Sequence, residues 1–202
     1  MKGLLLTTLA LLAAGLTPAV HAQTSGAAYY GLSLGDFEYT EGDEFFGDLF
    51  SDSVSSWHLM INYMFMEHLG VEGSYGKTST IRDSFTFLTG GQPASVDVGF
   101  ESEISMLTIR LVGVLPFDNG ISLMAGLGYA DVDQDIDLSQ NGVPSPPSIE
   151  ISENNPAYYV GVQYDWDRIA LRLAYQKYDF SGDTFQSDVD AAETTLTFFY
   201  KL

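Results

Sequence analysis

The run Asp131-Val-Asp-Gln-Asp-Ile-Asp137 sets four carboxylates at every second position. Oxygen ligands so closely spaced are what a hard divalent cation takes. A calcium loop of the helix–loop–helix kind, however, requires Gly at its sixth position and a bidentate Glu at its twelfth, where this chain has Ile136 and Gly142. In a strand all four Asp face one way, so the run reads as a solvated strand. Asp131, Asp133, Asp135 and Asp137 are kept as a weak divalent-cation set. Imidazole is scarce: beyond His21, near the N-terminus, there are only His58 and His68. His58 follows Ser56 by two positions, but no spacing assembles a serine–histidine–acid unit around it. Neither a zinc-type cluster nor a phosphate-binding glycine loop occurs, so no cofactor and no catalytic residue is expected. The third charged set is Glu72, Arg110 and Arg172, each inside a run of alternating apolar residues. Charges placed there must pair, and an ion-pair network of Glu72 with Arg110 or Arg172 is expected.

The elements that carry these residues share a period of two. In the last stretch Leu196, Phe198 and Tyr200 alternate with Thr195, Thr197 and Phe199, which is a strand with unlike faces. The same alternation recurs around Leu32, Ile61, Val71, Ile109, Leu123, Val160 and Leu171, giving eight strands. Three connections are short, near Met66, Pro116 and Trp166. Four are long: Asp36 to Ser53, Thr78 to Glu103, Asp131 to Pro156, and Asp179 to Glu193. Gly90-Gly91-Gln92-Pro93 and Pro144-Ser145-Pro146-Pro147 mark loop tips.

The N-terminal 22 residues carry Lys2, an apolar run from Leu4 to Leu16 and a Val20-His21-Ala22 exit, the pattern of a cleaved secretory signal peptide. Residues 23–202 then form one domain. Loss of Lys2 leaves 7 basic residues against 27 acidic ones, which excludes nucleic acid as a partner. The four long connections hold 22 of the 27 acidic residues. Hydrophobic residues at 46% are too many for a disordered acidic chain.

Short turns on one side and long loops on the other describe an all-β, eight-stranded, antiparallel up-and-down transmembrane β-barrel with periplasmic turns and extracellular loops. Closure leaves no open strand edge in hydrocarbon. Outward aromatics fall into two sets: Tyr30, Tyr63, Phe65, Tyr164, Trp166 and Tyr200 near the turns, and Trp57, Tyr75, Tyr129, Tyr158 and Tyr175 near the loops. Two interfacial girdles are expected. An eight-stranded interior is one that side chains nearly fill. Its inward candidates are Glu72, Arg110, Arg172, Gln163, Asn62, Tyr159 and His58.

On Tyr63 to Tyr75 (YMFMEHLGVEGSY), the Gly-rich strand Leu123 to Tyr129 and the C-terminal strand, the chain resembles the small eight-stranded outer-membrane barrels of the OmpA transmembrane domain and OmpX type. The resemblance implies an outer-membrane location and recognition of the last strand by the barrel-insertion machinery. The chain departs from that pattern in ending on Leu202 rather than an aromatic residue. It also implies contact with outer-membrane lipid and lipopolysaccharide, with divalent cations at the acidic loops as a further partner. Three functional classes follow. The first is a non-enzymatic barrel with a plugged polar interior and long acidic extracellular loops, serving envelope structure or surface interaction. The second is a narrow channel for small or apolar molecules, and the third a lipid A-modifying barrel enzyme. The first is preferred, because no feature of the lumen demands transport, and the His-x-Ser pattern of the deacylases is missing: Leu59 and Met60 follow His58.

Overall fold

The computed structural model describes residues 26–43, 47–88, 95–180 and 189–202. The signal-peptide segment, residues 1–22, and the Gly90–Pro93 tip lie outside them. Nine strands are present: β1 (Ala28–Asp43), β2 (Gly47–Met66), β3 (Leu69–Thr78), β4 (Ile81–Leu88), β5 (Ser95–Pro116), β6 (Ile121–Gln140), β7 (Val143–Trp166), β8 (Ile169–Phe180) and β9 (Val189–Lys201). Their order is β3-β2-β1-β9-β8-β7-β6-β5, and β3 pairs back onto β5. Eight antiparallel strands therefore close into a barrel. The ninth, β4, pairs only with β5, taking over at Ile81↔Ser102 where β3 leaves at Lys77↔Ser105.

Alternation decides the two faces, as a two-residue period must. Along β3 the burial alternates residue by residue, with Gly70, Glu72, Ser74, Gly76 and Thr78 inward. The outward face stays exposed: Leu34 at 63%, Ile109 at 62% and Leu127 at 64%. So large an exposed apolar surface marks contact with something other than water. Tyr30, Tyr63, Phe65, Trp166 and Tyr200 are outward toward the short turns; Trp57, Tyr75, Tyr129, Tyr158 and Tyr175 are outward toward the other end. Trp57 and Tyr75 meet edge to face, with ring centroids 6.2 Å apart.

The short connections stand at Glu67–His68, Phe117–Gly120 and Asp167–Arg168. The long ones are more ordered than expected from sequence. The stretch between Asp131 and Pro156 is a hairpin: β6 and β7 remain paired up to Gln140↔Val143, with a shift of register between Ile136 and Leu138. Its tip is Asn141-Gly142, both with positive φ (52° and 76°), the pair a type I′ turn favours. Pro144 to Pro147 accordingly lie within β7 and do not form the tip. Strand also replaces most of the Thr78–Glu103 loop, as β4 and the upper part of β5. From Asp36, β1 and β2 continue their pairing to Asp43↔Gly47.

Candidate functional site

The inward residues build one connected polar system down the barrel. At its centre is Glu72 on β3, fully buried, facing Arg110 on the neighbouring β5 by direct register. Arg110 Nε lies 3.1 Å from Glu72 Oε1. From β8, across the lumen, Arg172 Nη1 donates to Glu72 Oε2, and Asn62 Nδ2 donates to the same oxygen at 3.1 Å. Thus the structure brings Glu72, Arg110 and Arg172 into one cluster, with the carboxylate between the two guanidinium groups. Tyr159 presents its ring to both cations, 4.8 Å from Arg110 and 5.7 Å from Arg172, while Phe199 lies 4.4 Å from Arg172. Such faces attract a desolvated cation.

Toward the short turns, Arg172 Nε donates to Gln163 Oε1 at 3.1 Å, and Gln163 Nε2 donates to Asp165 at 3.0 Å. Toward the other end, Arg110 donates to Gln176 Oε1, and Gln176 Nε2 donates to Glu193 Oε2 at 3.2 Å. Glu193 on β9 is a second fully buried carboxylate. Ser56 donates to its Oε1, His58 Nε2 stands 2.6 Å from that oxygen, and Tyr178 donates to Oε2 at 3.1 Å. Two glycines make room for this cluster. A Cβ on Gly76 would run into the His58 ring, and one on Gly35 into Ser56 and Glu193.

Three buried carboxylates, Glu72, Glu193 and Asp165, thus stand among two buried guanidinium groups, Arg110 and Arg172, with the His58 imidazole against Glu193. A low-dielectric interior requires such charges to be paired. Buried apolar side chains flank the system: Phe37, Ile104, Met106 and Val132 toward the long connections, and Met64, Val112, Val114, Met124 and Phe199 toward the turns.

The inward positions assigned from sequence to His58, Asn62, Tyr159 and Gln163 are buried in the structure. Glu193 was missed as a lumen group, because it stands at the border of a long acidic stretch. The signal was present: Glu193 shares the odd-numbered face of the last strand with Thr195, Thr197 and Phe199. Ser56, His58 and an acid do come together, yet the carboxylate stands between serine and histidine. Ser56 and His58 both bond Glu193 Oε1, so the acid and not the imidazole is the partner of the Ser56 hydroxyl, unlike the order of a serine–histidine–acid unit.

Above the loop-side girdle the outward faces of β5, β6 and β7 are acidic. Asp133, Asp135 and Asp137 are exposed and Asp131 is half-buried. Asp135 faces Glu103 on one side and Glu150 on the other. Lys77 binds Glu103 at 2.5 Å and Arg82 binds Glu101 at 3.1 Å. The hydrogen bond to Glu103 holds the Lys77 ammonium above its ordinary pKa. Among the described residues no group of three or more His, Cys, Asp or Glu side chains is arranged to hold a metal ion. The four Asp are outward neighbours on one strand and do not converge on a point.

The family model for the outer membrane protein beta-barrel domain matches residues 7–201. Among solved structures, that of Ail, the attachment invasion locus protein of Yersinia pestis, superposes with a TM-score of 0.58 at 19% identity, covering 89% of this chain and 100% of the other. OprG from Pseudomonas aeruginosa gives 0.60 at 12% identity, with 91% and 99% covered. Neisserial surface protein A gives 0.58 at 12% identity, with 88% and 100% covered. At these identities the likeness is one of fold. A comparison with curated protein sequences gives no match.

Proposed function

The chain belongs to the outer-membrane β-barrel domain family, and on that premise we propose that it is a non-enzymatic barrel, plugged inside and used as a rigid mount for acidic surface strands. The observation that carries this reading is the interior. A network of buried carboxylates, guanidinium groups and amides runs from Ser56 and His58 to Asp165, with buried apolar side chains on either side of it. Its pairings tie β2, β3, β5, β8 and β9 together across the lumen.

The short turns face the periplasm in this reading, as in small barrels generally, and the extended ends of β1, β2 and β4–β7 rise outside the cell. Their outward carboxylates, with Lys77 and Arg82 among them, meet lipopolysaccharide through divalent cations bridging to its phosphates. The C-terminal strand is the address read by the insertion machinery. Attachment, which the name of Ail gives to that protein, is the kind of surface role that a rigid mount with exposed strands would suit here.

Planar-bilayer recording tests the plug. The wild-type barrel is expected to show no stable ohmic conductance. A large, open, ohmic pore in wild type overturns the reading in favour of a channel. The enzymatic alternative is addressed by mass spectrometry of lipid A from a strain lacking the protein, where an unaltered acylation pattern is expected.

A further inference from the structure

We propose that the lipid-facing wall holds one specific phospholipid, of the leaflet at the short-turn end, with an acyl chain laid in a groove across β5–β9. The groove begins at His68 in the β2–β3 turn, runs past Gly113 and Ala125, and reaches Tyr175 on β8 and its partner Thr194 on β9. It lies between two rows of cross-strand partners. One row is Gly113, Ala125, Val160 and Tyr175; the other is Leu115, Leu123, Val162 and Leu173. The second row is a continuous ridge of branched side chains, whereas the first is cut down at Gly113 and Ala125.

That cut is not imposed by the fold. Gly113 has no left-handed backbone, and a Cβ added to it would meet nothing nearer than the Ala125 carbonyl oxygen at 3.8 Å. A larger residue would fit, so what the missing side chain accomplishes is to leave the groove open. Contrast Gly76 and Gly35, where the interior demands glycine.

The occupant follows from place and shape. The groove is continuous with the lipid-facing band, so an acyl chain is the group already in contact with it. Four strand spacings, from β5 to β9, give a run of about 19 Å, which at the ~45° tilt of membrane strands rises about 13 Å along the bilayer normal. Half of a ~30 Å hydrocarbon core is about 15 Å, so one extended chain from one leaflet matches. A second barrel presents a convex wall that cannot enter a groove one residue row wide. At the turn end, His68 lines the groove and Glu67, exposed beside it, adds a carboxylate. An imidazole suits a phosphate and a carboxylate suits an ammonium, so the head group assigned is ethanolamine phosphate.

The test uses the whole barrel reconstituted in vesicles of phosphatidylethanolamine and phosphatidylglycerol, re-extracted in mild detergent and weighed by native mass spectrometry. One phosphatidylethanolamine per wild-type barrel is expected. Gly113→Leu with Ala125→Leu fills the groove and is expected to lower retention about tenfold or more. Gly73→Leu is the control: another half-buried glycine with room for a Cβ, 3.9 Å from the Thr108 carbonyl oxygen, away from the groove. It is expected to retain lipid as wild type does. Heat-modifiable gel mobility reports folding separately. Should the filled variant not fold, a diazirine placed in the acyl chain is expected to label the Leu111–Leu115 peptide of wild type in preference to the Gly73 peptide. Wild type without lipid, equal retention of phosphatidylglycerol, equal retention by the filled variant, or uniform labelling overturns the proposal.

Discussion

Replacing Glu72 by Gln removes the carboxylate that two buried guanidinium groups share. Arg110 and Arg172 are 3% and 2% exposed, so neither can turn to water. Gln176 and Gln163 remain as neutral acceptors, and the Tyr159 and Phe199 faces still attract the cations. None of these carries a compensating charge. Breaking a buried pair by deleting one partner costs about 3–5 kcal/mol, because an uncompensated charge stays behind. For a domain of this length each kcal/mol is worth roughly 2–4 °C, so a loss of about 4 kcal/mol lowers Tm by roughly 8–16 °C. In urea, with a slope of ~2 kcal/mol/M, the midpoint falls by about 2 M. Trp57 and Trp166 stand at opposite ends of the barrel, and their fluorescence in lipid vesicles follows both halves of the unfolding. Heat-modifiable gel mobility gives the melting temperature independently. The second arm is Glu72→Gln with Arg172→Gln, which removes one of the orphaned cations. It is expected to recover at least ~1 kcal/mol relative to the sum of the single changes, as contacting residues do. A Glu72→Gln barrel melting within about 2 °C of wild type would refute the claim that this carboxylate balances the interior.

Gly76→Ala pushes a methyl group into the His58 ring and is expected to cost about 1–3 kcal/mol, whereas Gly73→Ala, with its open Cβ position, is expected to stay within ~0.5 kcal/mol; melting of the two variants side by side checks this. Glu193→Gln keeps an acceptor for Tyr178 or Gln176 but sets an amide N–H₂ against the remaining donors. A loss of about 1–3 kcal/mol is expected, read by the same melts, with His58→Gln smaller because a neutral donor is retained. Asp133→Asn with Asp135→Asn removes exposed carboxylates only, so stability in the absence of added cations should move by no more than ~0.5 kcal/mol. Titration calorimetry with calcium should show nothing tighter than the weak, extracellular range of about 10⁻⁴–10⁻³ M; submicromolar affinity would mean that the four Asp converge after all.

The period of two by itself determined which face of each strand is apolar. Because adjacent side chains in a strand point to opposite faces, Leu32, Ile109 and Phe198 had to share one environment, and Glu72, Arg110 and Thr197 the other. Exposed aromatics at both strand ends and the unequal connections then required a closed barrel. Two things lay beyond that pattern. The full length of the strands past the girdle did: the spacing in DVDQDID reads as a solvated strand, but nothing in the sequence alternation marks how far the pairing of β6 with β7 runs beyond it, to Gln140↔Val143. So did the identity of the partners inside. Glu72 and Arg172 are 100 residues apart in sequence, on strands that do not pair, and they meet only because closure folds β8 across the lumen from β3. Glu193 reads locally as one more acid of an acidic stretch. Alternation puts it on the inward face with Thr195 and Thr197, but only the register of β9 against β1, and the absence of side chains at Gly35 and Gly76, seat it on Ser56 and His58. Alternation specifies a face, but not a height or a distance across the barrel, and those are set by strand register and closure together.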